Sequence, residues 1–322
     1  MGFSGTGKVW MNGKLVDWAD ANVHVASHVL HYGSAVFEGA RCYRTRDGSA
    51  FFRLDDHMRR LYDSARIYRM EYELDQAALT QAVVETVKAN GLPASYIRPL
   101  IYRGYKSLGV DPTPCPIEAA ILVWEWGAYL GQGALDDGVD VGVSSWSRAA
   151  PNTLPAMAKS SANYANSSLI KMEAGVHGYA EGIALDVSGR LSEGSGQNLF
   201  LVRDDVVYTA PVVSSILPGI TRDSVLRLSE DLGLKVKEAE MPREMLYLAD
   251  EVFFAGTAVE VTPIRSVDKI AIGNGGRGPV TAALQKAFFE YVKGEVPDRH
   301  GWMTPVEIVS TRPEPAEAGQ SF

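Results

Sequence analysis

The chain has 322 residues, 46% of them hydrophobic and 22% charged, and carries a formal net charge of −8. That length suits two globular domains with separate cores, and the charged fraction is ordinary for a folded protein. The acidic balance argues against a surface built for nucleic-acid phosphates but leaves room for a small anionic ligand held by local cations.

In chain order, the opening MGFSGTGKVW places Gly2, Gly7 and Lys8 in the spacing of a phosphate-binding G-x-x-x-x-G-K loop. Val9 stands where that loop needs a Ser or Thr for magnesium, and no strand precedes it, so the match reads as coincidence. Met1, Gly2 and Thr6 fit the loose N-myristoylation pattern in the same empty way. VWMNGKLVDW predicts a hairpin turning at Asn12-Gly13. His24, His28 and His31 have i, i+4, i+7 spacing, yet no acidic or cysteine ligand lies among them. Structural hydrogen bonds are expected there, and no metal. LDDHMRRLYDSARIY predicts an amphipathic helix with Met58, Leu61, Ala65 and Tyr68 on one face. AALTQAVVETVKANG predicts another, closed by Gly91. SYIRPLIYRG and EAAILVWEW read as apolar strands.

Residues 1–126 are therefore expected to form a small α/β domain, and the glycine-rich stretch 127–138 reads as a linker. The range 139–310 is strand-rich, with VDVGVSSWS, IALDV, NLFLVRD and VVYTA as strands and turns at Ser188-Gly189 and Asp204-Asp205. Helices follow at about 221–232 and 279–292, the second with Leu284, Phe288 and Val292 as its stripe. The proline-rich tail 311–322 reads as disordered. Cys42 and Cys115 are far apart in sequence and suit a reducing cytoplasm. No apolar run reaches the ~18 residues of a membrane span, and the start, with no basic segment followed by an apolar stretch, is not expected to act as a secretory signal.

PAMAKSSANYANSSL sets Lys159 among small residues, with Arg148 and Lys171 the nearest charges along the sequence. A buried ammonium there loses hydration, its pKa falls, and the free amine can attack a carbonyl. A lysine snorkelling from a helix start fits the segment equally well. Glu193 ends a strand-like run just before Gly194 and Gly196, where it can meet a ligand's ring nitrogen. LPGITRDSV has a Pro-Gly turn feeding a helix near Thr221, whose free N–H groups and dipole favour a phosphate. Gly256-Thr257-Ala258 ends a buried strand and offers a second oxyanion cradle. An amine, a carboxylate and two anion cradles together suit pyridoxal 5'-phosphate.

The succession HVASHVLHYGSAVFEGARCY, HMRRLYDSA, YIRPLIYRGYKSLGVDP, RAAPNTLPAMAKSSANYANSSL, EGIALDVSGRLSEGSGQNLFLV, LPGITRDSV, LYLADEVFFAGTAVEVTPIRSVD and GPVTAALQKAFF resembles the branched-chain amino acid aminotransferases. These are fold-type IV pyridoxal phosphate enzymes. The resemblance implies a two-domain α/β (α+β) fold, a small N-terminal domain and a larger strand-rich one with the cofactor between them. It implies transamination of leucine, isoleucine and valine with 2-oxoglutarate in two ping-pong half-reactions. Lys159 would form the internal aldimine and shuttle the proton, Tyr164 would bond the phenolic oxygen, and Glu193 would pair with the pyridine nitrogen. Arg60 would bind the phosphate with Ile220, Thr221 and Thr257, whereas Arg59 is left on the surface.

The implied substrate pocket comprises Tyr32, Phe37, Tyr96, Trp126, Tyr129 and Ala258, with Arg98 for the side-chain carboxylate of glutamate. Val110 would reach into a neighbouring subunit, implying a homodimer or a higher assembly such as a hexamer. Gln197 stands where some members carry glutamate, a departure that bears on fine tuning. D-amino acid aminotransferases and aminodeoxychorismate lyases share the fold and form the alternative, although YIRPLIYRG and SLGVDP look unlike them.

Overall fold

A computed structural model of the chain describes residue 5 and residues 7–127, 130–131 and 133–309. Gly2, Tyr129 and the tail expected to be disordered lie outside the described residues.

The first hairpin follows from its turn chemistry. Strands β1 (Lys8–Met11) and β2 (Lys14–Asp17) are joined by Asn12 and Gly13 at φ 44° and 89°, the left-handed pair of a two-residue turn. Lys8 opens a strand and pairs with Asp17 at 2.7 Å, so it does not close a phosphate loop. A short helix α1 (His28–Tyr32) precedes β3 (Ala35–Phe37), β4 (Ala40–Thr45) and β5 (Gly48–Phe52).

Two longer helices come next. α2 (Leu54–Ile67) buries Met58, Leu61 and Ala65, and α3 (Gln76–Asn90) buries Leu79, Val83 and Val87. The Asp75 carboxylate accepts from Ala78 N at 2.8 Å to start α3, and Gly91 ends it at φ 61°. β6 (Ser95–Arg103) and β7 (Ile117–Trp124) complete this part of the sheet. Both helices share one core with Ile97, Ile101 and Ile121. Each of those side chains contributes ~1.5–3 kcal/mol of burial.

α4 (Ala134–Asp137) lies in the stretch expected as a linker, and Ala134 is packed into the second core. Then come β8 (Val139–Val143), α5 (Asn163–Val176), β9 (Glu181–Leu185), β10 (Leu191–Gly194), β11 (Asn198–Arg203) and β12 (Val206–Thr209). The run continues through α6 (Ile220–Asp231), β13 (Lys235–Glu238), α7 (Met245–Leu248), β14 (Glu251–Gly256), β15 (Glu260–Val267), β16 (Ile270–Ala271) and α8 (Pro279–Val292). The second sheet has the order β10-β9-β8-β15-β14-β11-β12-β13. β10 also pairs with β11 through Glu193 and Asn198, which closes six of those strands into a barrel. Alternation assigns Leu199, Leu201 and Phe254 to one core, and Phe200, Val202 and Phe253 to another with Leu284 and Phe288 of α8.

Two elements depart from expectation. The 14-residue helix α5 begins four residues after Lys159, where a helix start was expected only under the reading of Lys159 as a snorkelling lysine. β17 (Met303–Val306) pairs antiparallel with β5, with Met303 opposite Phe52. The first sheet therefore runs β17-β5-β4-β6-β7-β1-β2, with β3 on β6, and draws a strand from the range expected to belong wholly to the second domain. Among the described residues no helix is long and apolar enough to cross a membrane.

Candidate active site

A cleft of about 670 Å³, its open mouth included, takes its lining from both sheets. Lys159 enters it from the segment before α5. Its carbonyl accepts from Phe37 N at 3.0 Å, its N–H donates to Ser64 Oγ at 3.0 Å, and Nζ donates to the Tyr164 hydroxyl. With its backbone held by β3 and α2, the lysine keeps Nζ 4.9 Å from the ring centroids of both Phe37 and Tyr164. This is no snorkelling surface lysine.

Glu193 is carried on β10, and the turn that follows leaves it only 5% exposed. Oε1 pairs with Arg148 Nη2 at 3.0 Å, while Oε2 accepts from Asn198 Nδ2 at 3.2 Å and Leu217 N at 3.0 Å. Burial pushes the Glu193 carboxyl above its usual range, while Arg148, the Leu217 N–H and Lys159 pull the other way. A cationic ligand atom beside it would add to that pull.

α6 begins at Ile220, and its N-cap Gly219 offers no side-chain cap. The first N–H groups of a helix have no intrahelical partner, so they are free to meet an anion. Gly219 is required here, because a Cβ would lie 1.9 Å from Asn198 Oδ1. Thr257 and Ala258 form the turn between β14 and β15. Arg41 of β4 fixes that turn by donating to the Ala258 carbonyl at 2.8 Å and pairing with Glu260 at 3.0 Å. Arg60 donates to the Pro218 carbonyl at 2.8 Å, and its Nε and Nη2 grip Glu38 at 2.6 and 2.9 Å.

Arg60, Lys159, Tyr164 and Glu193 thus line one cleft, and Ile220, Thr221 and Thr257 line it with them. Tyr96 and Ala258 border it as well. Phe37 and Arg98 stand just behind, the guanidinium 4.8 Å from the Phe37 ring and 5.5 Å from Tyr96. Trp126 stacks on Tyr96 at 4.6 Å. Tyr32 and Val110 do not come to this cleft. The Tyr32 hydroxyl donates to the Leu108 carbonyl at 2.7 Å, and Val110 is 81% exposed on the loop between β6 and β7. Gln197 lines the cleft at 4% exposure, its Oε1 accepting from Gly196 N at 3.1 Å.

The three histidines do not share a helical face, because α1 starts only at His28. His28 contacts Ser34 Oγ at 2.7 Å and the Gly109 carbonyl at 3.1 Å, and His31 contacts the Val25 carbonyl at 2.9 Å. Among the described residues no group of three His, Cys, Asp or Glu side chains could hold a metal ion.

The family model for amino-transferase class IV matches residues 35–267. The chain belongs to the class IV aminotransferases. This aminotransferase is 52% identical to the branched-chain-amino-acid aminotransferase of Salmonella typhimurium, over 92% of its own length and 97% of that protein. It is 44% identical to the Pseudomonas aeruginosa enzyme of the same name, over 94% and 98% of the two chains. The crystal structure of the Escherichia coli branched-chain amino acid aminotransferase superposes with a TM-score of 0.93 at 51% identity, covering 94% of this chain and 100% of that one. The branched-chain aminotransferase of the archaeon Thermoproteus uzoniensis, solved with norvaline, gives a TM-score of 0.89 at 40% identity, covering 94% and 100%. Another solved branched-chain amino acid aminotransferase, at 47% identity and a TM-score of 0.91 over 94% and 99% of the two chains, holds pyridoxamine 5'-phosphate.

Sequence reasoning missed Glu38 and His57 in this aminotransferase, and with them the support of Arg60. Glu38 is fully buried and accepts from His57 Nδ1 at 2.7 Å and from Gly39 N at 3.1 Å, besides Arg60. Burial raises the carboxyl's pKa, but Arg60 and His57 reverse this and hold it well below the usual range. Burial pushes His57 down, so it donates as a neutral imidazole.

Glu38→Gln removes the negative charge and leaves the Arg60 guanidinium without its counterion. We expect a loss of about 3 kcal/mol in urea unfolding. The folded pKa lies below the unfolded value of ~4.3, so this stability is present above that pH and fades as the pH falls further. Wild-type stability should therefore drop more steeply than the variant's below about pH 4. Parallel pH profiles would remove Glu38 from this role.

Proposed function

We propose that this aminotransferase moves amino groups between branched-chain L-amino acids (leucine, isoleucine and valine) and 2-oxoglutarate, with pyridoxal 5'-phosphate as its cofactor. The observation that carries the reading is a single cleft presenting Lys159 Nζ beside Tyr164, the buried Glu193 carboxylate and the N-terminus of α6. The donor set fits this cofactor. Glu193 would hold the pyridine nitrogen, Tyr164 the phenolic oxygen, and Arg60 with Ile220, Thr221 and Thr257 the phosphate. Lys159 would take the aldehyde carbon.

When bound, the cofactor supplies a conjugated electron sink for the charge left on the substrate α-carbon. Glu193 keeps negative charge beside the ring nitrogen and so favours its protonated form. Lys159 Nζ would take the proton from the α-carbon of the amino donor and hand it to the former aldehyde carbon within the same half-reaction, and it would run the transfer in reverse when the 2-oxo acid returns. Tyr164 tethers Nζ at the cleft, and Ser64 and Phe37 fix the backbone behind it.

Phe37, Tyr96 and Trp126 form apolar walls for a branched chain, whose burial contributes ~1.5–3 kcal/mol. Tyr129 and Ala258 are proposed to join them. Arg98, held over those rings, offers a guanidinium to the side-chain carboxylate of glutamate. Tyr32 bonds the loop that carries the exposed Val110, and neither lines the chain's own cleft, which supports a homodimer or higher assembly in which they complete a neighbour's pocket. The free thiols of Cys42 and Cys115 support a reducing, cytoplasmic setting.

The test is a substrate panel on protein saturated with pyridoxal 5'-phosphate. A band at about 410–430 nm should form and then bleach with L-leucine, L-isoleucine or L-valine. Faster turnover of D-alanine, or no band at all, would overturn the reading.

A further inference from the structure

Arg53, the residue before α2, adopts a left-handed backbone (φ 54°, ψ 39°) and is 8% exposed. A non-glycine residue in that region is strained, and persists where surrounding contacts hold it. Here the contacts are many. Its N–H donates to the Trp302 carbonyl at 2.7 Å, and the guanidinium lies 5.1 Å from the Trp302 ring centroid. Nε donates to Asp56 Oδ2 at 2.7 Å within α2.

Nη1 crosses to the other domain and meets the first turn of α6. It donates to Asp223 Oδ2 at 2.6 Å, Ser224 Oγ at 3.0 Å and the Ile220 carbonyl at 3.1 Å. One side chain thus joins the start of α2, the helix that carries Arg60, to the start of α6, the helix that opens with Ile220 and Thr221. Arg60 makes a second tie of the same kind through the Pro218 carbonyl.

We propose that Arg53 is a positioning residue for the phosphate cradle, fixing the first turn of α6 against α2 so that donors from both domains converge on one anion. The proposal rests on the assignment of pyridoxal 5'-phosphate to the cleft. Charge-assisted bonds from a buried guanidinium are short and directional, and a lysine cannot reproduce the fork that reaches both helices. Lys159 is anchored separately, through Ser64 and Phe37. Losing Arg53 should therefore weaken recognition of the phosphate and leave the amine's reaction with an aldehyde intact.

The experiment compares pyridoxal 5'-phosphate with pyridoxal, which lacks the phosphate, by titrating the visible band of apoenzyme. Arg53→Gly removes the side chain and relieves the left-handed strain, Arg53→Lys keeps the charge, and Ser224→Ala deletes one acceptor on α6. The dissociation constant for pyridoxal 5'-phosphate should rise about tenfold to a hundredfold in Arg53→Gly, and less in the other two. That for pyridoxal should stay within about twofold, since its contacts do not involve the cradle. Equal weakening of both aldehydes, or unchanged affinity for both in a folded variant, overturns the proposal. If Arg53→Gly does not fold, the same ratio in Arg53→Lys and Ser224→Ala decides. A wild-type protein giving no band with either aldehyde would instead sink the cofactor assignment.

Discussion

Lys159→Ala should abolish transamination, with turnover falling by more than about 10⁴-fold, and the variant mixed with pyridoxal 5'-phosphate should lack the band at about 410–430 nm. The expected loss is large because the proposed mechanism gives one atom two jobs, taking the cofactor's aldehyde carbon and moving the α-proton. Among the described residues that line the cleft, Lys159 alone carries an amine, and its backbone is held by Ser64 of α2 and Phe37 of β3. Stability should change little, because Nζ makes its bond to the Tyr164 hydroxyl and its removal leaves no buried ion without a partner. A melting temperature within a few degrees of wild type would separate lost chemistry from lost fold. Small primary amines added to the variant should restore part of the rate. That band together with wild-type turnover in Lys159→Ala would end the proposed mechanism.

Glu193→Gln should lower turnover by about 10²–10³-fold, with a smaller effect on the amino acid's KM. The amide keeps the shape and can still accept from Arg148, but it cannot hold negative charge beside a ring nitrogen. Arg148 would then keep Asn166 Oδ1 at 2.8 Å and Ser167 Oγ at 3.3 Å as neutral partners, and the buried charge would lose its counterion. A destabilisation of roughly 3 kcal/mol should accompany the kinetic loss. Glu193→Asp, which preserves charge on a shorter arm, should recover part of both. Turnover of Glu193→Gln within about threefold of wild type would exclude the assigned role.

The site was legible in the sequence where chemistry depends on neighbours in the chain. Lys159 among small residues, Glu193 before two glycines and the Pro-Gly turn before Thr221 each announce a local arrangement. The helices α2 and α3 were legible for a related reason, since their apolar faces repeat with the helical period. Helix α5 hid because its buried side is Asn163, Ser167, Ile170 and Ala174, while Leu169, Met172 and Val176 are exposed. Its pattern is close to the reverse of an ordinary amphipathic helix.

Glu38 left one clue, a carboxylate inside the apolar run SAVFEGA, but its partners His57 and Arg60 come from a helix farther along the chain. Arg148 was noticed only as a nearby charge, because its partner Glu193 belongs to a barrel strand far along the sequence. The aromatic walls were readable through resemblance alone. Single rings such as Tyr96 and Trp126 look the same in any core until their stacking is seen. A glutamate in place of Gln197 would set a second buried carboxylate into the cleft that already holds Glu193.

The pairing of β17 with β5 puts the order of synthesis at odds with the order of assembly. Everything else in that sheet leaves the ribosome early, yet β5 has no outer neighbour until residues 303–306 emerge. Through most of translation the nascent chain presents β5, with Phe51 and Phe52, as an unprotected edge of the kind that recruits other unfinished chains. Truncation ahead of Met303 would make that interval permanent, and the fragment 1–126 expressed alone should accumulate as aggregate.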